Sequence, residues 1–197
     1  MATIGLSKPF YAVYSESSGT VSYGSGGVLG KYTALQLQLE SASENILYAD
    51  NGPAESDSSF AGGTFSVTTD DLRPDIAKAI FGLTEETISA TGVTTTGAKW
   101  QVNDDDQAIP YLGVGGVLTK KVDGAVKYVA FVLEKVQFQN NGMDVTTQGE
   151  TIEWQTPTLE GRLFRSDNAK HSWRRLSTLL DSEAEAVAAV KGFLNIT

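Results

Sequence analysis

The sequence predicts a mainly β chain with minor α content, of the type that folds as a β-sandwich or a partly closed β-barrel. Residues Thr33 to Glu40 alternate apolar and polar side chains, which is typical of a strand buried on one face. Ala125 to Phe138 has apolar side chains at both sets of alternate positions, so this strand is expected to be covered on both faces. Two short stretches with helical spacing predict a flanking helix and a C-terminal helix.

The first half of the chain is expected to be strands joined by glycine-rich or polar connections. Gly19 to Gly30 is rich in glycine and predicts a turn region. Ser41 to Gly62 combines serines, acids and Asn-Gly-Pro with one short apolar patch, which predicts a long exposed excursion. Gly63 to Thr69 then resumes as a strand, with Phe65 and Val67 facing the core.

The flanking helix is expected directly after this strand. Asp71 is a suitable N-cap, Pro74 suits a first turn, and Gly82 marks the end. The apolar residues at helical spacing are Ile76, Ala79, Ile80 and Leu83.

The second half predicts further strands and the C-terminal helix. Strands are expected at Ala98 to Val102 and at Tyr111 to Lys121, and a strand pair or bent strand is expected at Thr151 to Phe164, where Pro157 breaks the ladder. Ser182 and Glu185 form a capping box for the final helix. Its apolar stripe is Ala186, Ala189, Val190 and Phe193. We expect one domain over residues 1–180, with an extended loop at about 41–62, and a C-terminal helix at 181–197 appended to it.

Composition restricts the classes of function. The 197 residues include 41% apolar and 20% charged residues, enough for a core and unlike a disordered chain. The absence of cysteine excludes disulfides, thiolate zinc sites and cysteine nucleophiles, and the single histidine removes most imidazole chemistry. The net charge of −9 disfavours binding of nucleic acid through its phosphates. No apolar run approaches the roughly 18 residues of a membrane span, and Met1 to Phe10 lacks the pattern of a secretory signal.

Three motifs resemble chemical sites, and a plainer interpretation is favoured for each. Asp104 to Asp106 lacks the alternating acids and the glycine of a calcium loop, so an acidic turn is favoured. The glycines Gly113, Gly115 and Gly116 lie among strands rather than before a helix, so a strand bend is favoured over a dinucleotide site. His171 has no partners at a spacing that suggests a hydrolase, so a surface or interface histidine is favoured. We therefore expect no enzymatic activity, no metal and no cofactor.

The tryptophans leave a further alternative open. Trp100, Trp154 and Trp173 are compatible with a sugar-binding platform, although such residues more often fill a core or a protein interface. A secreted β-sandwich adhesin or carbohydrate-binding module is therefore the alternative function, and it would be expected to carry a signal peptide.

The charges are unevenly distributed along the chain. Residues 32–72 contain no base and seven acids: Glu40, Glu44, Asp50, Glu55, Asp57, Asp70 and Asp71. Residues 162–175 contain one acid and five bases: Arg162, Arg165, Lys170, Arg174 and Arg175. Both segments are either solvated surface or complementary patches for head-to-tail self-association.

Several stretches of the sequence resemble the major tail protein of long-tailed, non-contractile bacteriophages. They are MATIGLSKPFYAVYS at the start, GGVLG at 26–30, NILYADNGPAES at 45–56, GGTFSVTTDDL at 62–72, YLGVG at 111–115, TQGETIEWQTPTLEG at 147–161 and NAKHSWRR at 168–175. The resemblance covers nearly the whole chain and is most specific at 45–56 and 147–161.

This resemblance implies a tail tube protein, built as a β-sandwich or partly closed barrel with a flanking helix. Six copies are expected to form a ring, and rings stack into a hollow tube with an acidic inner wall, through which phage DNA passes without specific binding. Other partners implied are the tape measure and tail terminator proteins. The implied location is the virion tail, assembled in the cytoplasm of the bacterial host, with no membrane insertion. The excursion at 41–62 becomes the arm that reaches a neighbouring subunit or ring.

The candidate self-assembly contacts combine this arm with the basic segment. They are Ile46, Leu47, Tyr48, Asp50, Asn51, Pro53, Glu55, Asp57, Arg162, Arg165, Lys170, Arg174 and Arg175. The apolar residues are expected to supply most of the contact energy and the charges to orient the partners. Reversing Arg174 and Arg175 to glutamate is therefore expected to slow assembly without unfolding the subunit.

Overall fold

The computed structural model describes residues 2–41, 45–49, 52–57, 60–140, 142, 145–147, 149, 151 and 153–197. The chain is mainly β, with 51% strand and 11% helix, which confirms the predicted class. The strands are β1 Ala2–Ser17, β2 Thr20–Val28, β3 Tyr32–Ser41, β4 Asn45–Ala49, β5 Gly52–Asp57, β6 Phe60–Thr69, β7 Thr84–Thr87, β8 Lys99–Val102, β9 Leu112–Val122, β10 Ala125–Phe138, β11 Thr158–Phe164 and β12 Arg174–Leu176. The helices are α1 Pro74–Phe81 and α2 Glu183–Phe193.

One antiparallel sheet dominates the fold. Its strands lie in the order β2-β1-β9-β10-β11-β6-β3, and β12 pairs with β10 beside β11. Strands β4 and β5 form a separate two-stranded sheet between β3 and β6, and β7 pairs with β8 in another. No described strand pairs with the outer edge of β2 or of β3.

The main sheet curls so that its distant strands meet. The hydroxyl of Tyr32, at the start of β3, donates to the carbonyl oxygen of Gly115 on β9 at 3.2 Å. Its ring lies 6.3 Å from that of Phe131 on β10. Because β3 and β9 are separated by three intervening strands in the sheet, these contacts bring the sheet back upon itself around an apolar interior.

Two apolar clusters cover the two faces of the central strands. The interior cluster includes Phe65, Val67, Leu133 and Phe138 and receives the buried face of α1. The outer cluster packs α2 against β1, β9 and β10. The two-faced pattern of Ala125 to Phe138 is thereby confirmed, since Val132 packs in the outer cluster and Leu133 in the interior one.

Glycines in β9 allow α2 to lie close to the sheet. A Cβ atom on Gly115 would lie 2.8 Å from Val190 of the helix, and one on Gly113 would lie 2.6 Å from Leu194. Most of the YLGVGG motif lies within strand β9, where Gly113 and Gly115 make room for the helix.

Most predicted elements are found near their expected positions, and three expectations are wrong. Gly19 to Gly30 consists mainly of strand β2 rather than turns. Of the strand expected at Thr151 to Phe164, only β11 forms; Ile152 lies outside the described residues. The N-cap of α1 is Arg73 rather than Asp71, although the helix ends at Gly82 in a left-handed conformation as expected.

The helix begins at Pro74, with Arg73 at the N-cap two residues after Asp71 and no side-chain capping bond, so neither preceding acid caps it. Asp70 accepts a hydrogen bond from the Lys31 N–H at 2.7 Å, and the Asp71 carbonyl accepts from the Thr69 hydroxyl at 3.0 Å. At α2, the Ser182 hydroxyl accepts from the Glu185 N–H at 3.2 Å, as predicted. The Glu185 carboxylate accepts from the Asp181 N–H instead of that of Ser182. None of the helices in the described ranges has the length and apolarity needed to cross a bilayer.

Candidate functional site

The excursion at 41–62 contains a β-hairpin. Leu47 of β4 lies opposite Glu55 of β5, and Tyr48 lies opposite Pro53. Ile46 and Asp57 are also on these strands, whose backbone alone is described, while Asp50 and Asn51 lie outside the described residues. We call residues 45–49 and 52–57 the acidic hairpin. Six of the eight predicted arm contacts, Ile46, Leu47, Tyr48, Pro53, Glu55 and Asp57, therefore lie on two paired strands, which the polar composition does not predict.

An aromatic and arginine stack surrounds Phe60, where the described chain resumes after the acidic hairpin. Phe60, the first residue of β6, lies parallel to Trp173, with ring centroids 4.6 Å apart. The guanidinium of Arg174 lies 4.7 Å from the Trp173 ring, and that of Arg165 lies 6.0 Å from the Phe60 ring. Arg165 also donates a hydrogen bond to the Phe60 carbonyl oxygen. Of the predicted basic residues, Arg165 therefore contacts Phe60 directly, and Arg174 lies on the Trp173 ring that stacks on Phe60.

The other three predicted bases are dispersed. Arg162 is on β11 opposite Thr64 of β6, and Lys170 lies in the turn before β12. Arg175 faces the side of β12 opposite to Arg174, because successive residues of a strand alternate. The basic segment therefore does not form a single patch, and only part of it lies beside the acidic hairpin.

Arg175 is bound to a buried carboxylate. Its Nε donates to Oε1 of Glu134 at 2.8 Å, and its guanidinium lies 4.9 Å from the Phe193 ring. The Glu134 side chain is 1% exposed, and its second oxygen accepts a hydrogen bond from the Asn168 amide at 2.9 Å. Because an unpaired buried carboxylate is costly, Arg175 is needed for the fold and is not simply an assembly contact.

A second polar cluster surrounds Asp167. Its carboxylate accepts hydrogen bonds from Lys135 at 2.6 Å and from the Tyr14 hydroxyl at 2.9 Å. The hydrogen bond from Lys135, followed by that from Tyr14, lowers the pKa of Asp167 below its ordinary value. The Lys135 ammonium also lies 4.6 Å from the Tyr111 ring. These groups are all satisfied and form a structural network.

Two tyrosines, Tyr23 in the outer cluster and Tyr32 beside the interior one, have raised pKa values. Burial, with a smaller effect from the charge of Glu134, raises the pKa of Tyr23, whose hydroxyl donates to the Glu134 carbonyl oxygen at 2.9 Å. Burial likewise raises the pKa of Tyr32. Both hydroxyls remain protonated donors and are unsuited to act as bases near neutral pH.

The suspected chemical motifs are structural in this fold. His171 has a positive φ of 48°, and its Nδ1 lies 3.3 Å from the Ser166 carbonyl oxygen, inside a turn. Asp104 closes its own turn by accepting from the Asp106 N–H at 3.1 Å, which confirms the acidic turn. Within the described ranges, no cluster of three or more histidine, aspartate or glutamate side chains is arranged to hold a metal ion.

Exposed apolar side chains and a groove beside α2 are candidate contact surfaces of the described chain. Trp154 is 89% exposed and Trp100 is 60% exposed. A groove of about 480 Å³ lies between the start of β2 and the end of α2 and is lined by Gly19, Thr20, Val21, Ser22, Tyr23, Glu134, Asn168, Arg175, Phe193 and Asn195. We call it the α2 groove.

The sequence signals for these features are uneven. Glu134 belongs to no recognised motif, but one acid within a run of apolar residues on a two-faced strand indicates a paired buried charge. The α2 groove has no signal in the sequence, since it combines residues from four separate segments.

No protein-family model matches this chain, and no match was found among curated proteins.

Proposed function

We propose that this protein is a structural virion protein whose copies form hexameric rings that stack into a phage tail tube, the conduit for DNA ejection. The proposal begins from the resemblance of the stretches at 45–56 and 147–161 to major tail proteins. Its partners are further copies of the chain and other tail proteins such as the tape measure and the tail terminator. Its place is the virion tail.

The observation that carries the proposal is the incomplete edge of the curled sheet at β3. Leu35 and Leu37 face the interior but are only partly buried, and Leu39 is 47% exposed. The backbone of this edge is unpaired within the described chain. An apolar, unpaired edge strand favours association with another chain, and proteins that stay monomeric usually protect such edges. The edge of β3 therefore supports a subunit that is completed by its neighbours.

The outer face of β3, β6 and β11 supports a conduit that does not retain DNA. Cross-strand neighbours on this face are Gln36, Ser66 and Glu160 in one row, and Gln38, Thr64 and Arg162 in the next. These rows are dominated by amides and hydroxyls, with one acid and one base. Such a surface has little net attraction for phosphates, in keeping with the net charge of −9.

Negative-stain electron microscopy of the purified protein tests this function. Rings or tubes of uniform diameter are expected, and their formation should depend on protein concentration. A matched pair of variants tests whether the edge of β3 is a contact between subunits. Leu39→Asp changes its apolar side and should suppress rings. Gln38→Asp changes the neighbouring position, on the polar face, and should leave rings intact. Monodisperse small particles at every concentration, for the wild-type chain, would contradict the proposal.

A further inference from the structure

An exposed tryptophan, Trp154, lies directly beside a hydrogen-bonded bridge within its own loop. The Gln155 side-chain amide donates to the Thr146 carbonyl oxygen at 2.9 Å, and its oxygen accepts from the Thr146 N–H at 3.1 Å. Next to this bridge, Val145 is 74% exposed and Trp154 is 89% exposed. We call Val145, Thr146, Trp154 and Gln155 the Trp154 loop. Because a tryptophan buries about 150–250 Å² of surface in a contact, this much exposure indicates a binding knob.

The α2 groove has the size and chemistry to receive an indole ring. Its volume is about 480 Å³, and the rings of Tyr23 and Phe193 lie in it with centroids 5.4 Å apart. The Arg175 guanidinium, half exposed and lying over Phe193, offers a cation for stacking on an aromatic face. The Asn195 amide donates to the Tyr23 carbonyl oxygen, so its own oxygen remains able to accept from an indole N–H.

Charge complementarity favours the same pairing. Glu153 precedes Trp154 and is exposed, and Arg175 is the cation of the α2 groove. The Nε of Arg175 is bound to Glu134, while its two terminal nitrogens have no partner in the described chain. A carboxylate entering with the indole would therefore meet free guanidinium donors. Because Trp154 is 89% exposed, it does not occupy the groove of its own subunit.

We infer that the Trp154 loop of one copy inserts its indole into the α2 groove of another copy. The inference rests on the proposed self-assembly and names one contact for it. Knob and groove are different surfaces of the same chain, so the contact is heterologous, and its repetition generates a ring or a filament. Trp154 is the anchor, Phe193 and Arg175 form the walls, and Glu153 orients the approach.

Sedimentation of four proteins tests the contact: the wild-type chain, Trp154→Ala, Ser22→Trp and Trp100→Ala. The first change removes the knob, and the second fills the groove from an exposed position on β2. Trp100→Ala is the matched control, since it removes another exposed tryptophan, on β8. Each of the first two variants should raise the concentration for half-association by about tenfold or more, and the control should change it by less than about twofold. Thermal unfolding should be unchanged in all four, because all three residues are exposed.

Mixing the variants provides the sharper result. The Trp154→Ala variant retains an open α2 groove, and the Ser22→Trp variant retains Trp154. In an equimolar mixture, each pair of unlike chains can therefore form one contact between Trp154 and the α2 groove. One-to-one association beyond that of either variant alone is expected. A mixture that associates no better than either variant alone would overturn the inference. Equal losses of association in Trp154→Ala and Trp100→Ala would also overturn it, as would a wild-type chain that never associates.

The same samples separate this inference from the proposed function. Tubes formed by Trp154→Ala at wild-type concentrations would overturn the knob and leave the tube function standing. A wild-type chain that associates through Trp154 without forming rings or tubes would support the contact and refute the tube.

Discussion

The two adjacent arginines of β12 should respond very differently to charge reversal. Arg175 pairs with Glu134, whose side chain is 1% exposed, whereas Arg174 contacts the ring of Trp173 at the surface. Arg175→Glu would place a second carboxylate against the buried one. Breaking a buried ion pair costs about 3–5 kcal/mol. The Arg175 side chain is 51% exposed and Asn168 retains its bond to Glu134, so we expect the lower end, about 3 kcal/mol.

Urea unfolding followed by circular dichroism measures the difference. With an m-value of about 2 kcal/mol/M, a loss of about 3 kcal/mol lowers the midpoint by roughly 1.5 M. Arg174→Glu removes a cation–π contact of about 0.5–1 kcal/mol and should shift the midpoint by less than about 0.5 M. Adding Glu134→Gln to Arg175→Glu should recover part of the loss, because the like-charge repulsion disappears. Equal midpoints for the two single variants would refute this assignment of Arg175.

This result also bears on the expectation that both arginines can be reversed without unfolding the subunit. That expectation treats neighbouring bases as one surface patch. On a strand the two side chains alternate, and here only one of them faces solvent without a buried partner. An assembly defect in the double variant would therefore mix lost association with lost stability, and Arg174 is the residue to change alone.

Three further outcomes are expected. Gly115→Val should lower the free energy of unfolding by about 1–3 kcal/mol, because its Cβ would lie 2.8 Å from Val190 of α2; unchanged stability by urea titration would count against that packing. The pKa of Asp167 is lowered in the folded state, so this carboxylate stabilises the fold above its ordinary pKa of 3.8, and the stabilisation is lost as the pH falls through the folded pKa. Asp167→Asn should therefore reduce the loss of stability at acid pH. An unchanged dependence of stability on acid pH would exclude the Asp167 network as its source. Deletion of residues 46–57 should prevent assembly, seen as loss of fast-sedimenting material, while the melting of the subunit stays close to wild type; tubes formed by the deleted chain would remove the acidic hairpin from the mechanism.

The sequence predicts those elements whose pattern is set by one buried face. Thr33 to Glu40 and Gly63 to Thr69 are strands as expected, and Phe65 and Val67 are buried. The boundaries of Ala125 to Phe138 match β10 because its apolar side chains meet the interior on one side and α2 on the other. Local chemistry also predicts the end of α1 at Gly82, where φ is 66°.

The missed strands have patterns that depend on distant partners. β1 has two shifts of register against β9, near Thr3 and between Ser7 and Phe10, and these shifts break the alternation that identifies a strand. β2 is glycine-rich because part of it lies against neighbouring backbone; a Cβ on Gly26 would lie 2.7 Å from the Tyr11 carbonyl oxygen. From the sequence alone, such glycines look the same as those of a turn.

The candidate site is less predictable than the fold for a similar reason. The sequence lists acids, bases and tryptophans but does not specify which of them are already paired. Lys135 and Asp167 are 32 residues apart and satisfy each other, as do Glu134 and Arg175 across 41 residues. Only the remaining side chains, such as Trp154, are left for contacts with other molecules.

The position of β1 in the sheet determines the order in which a growing chain is able to fold. β1 can pair with β2 as soon as both have been made, but its other neighbour, β9, begins at Leu112. At about 5–20 residues per second, the ribosome takes roughly 5–20 s to synthesise the intervening chain. During that interval one edge of the first hairpin stays open to pairing with other nascent chains. Production of this protein should therefore gain from slower initiation and lower temperature, which reduce the number of half-made chains present at once.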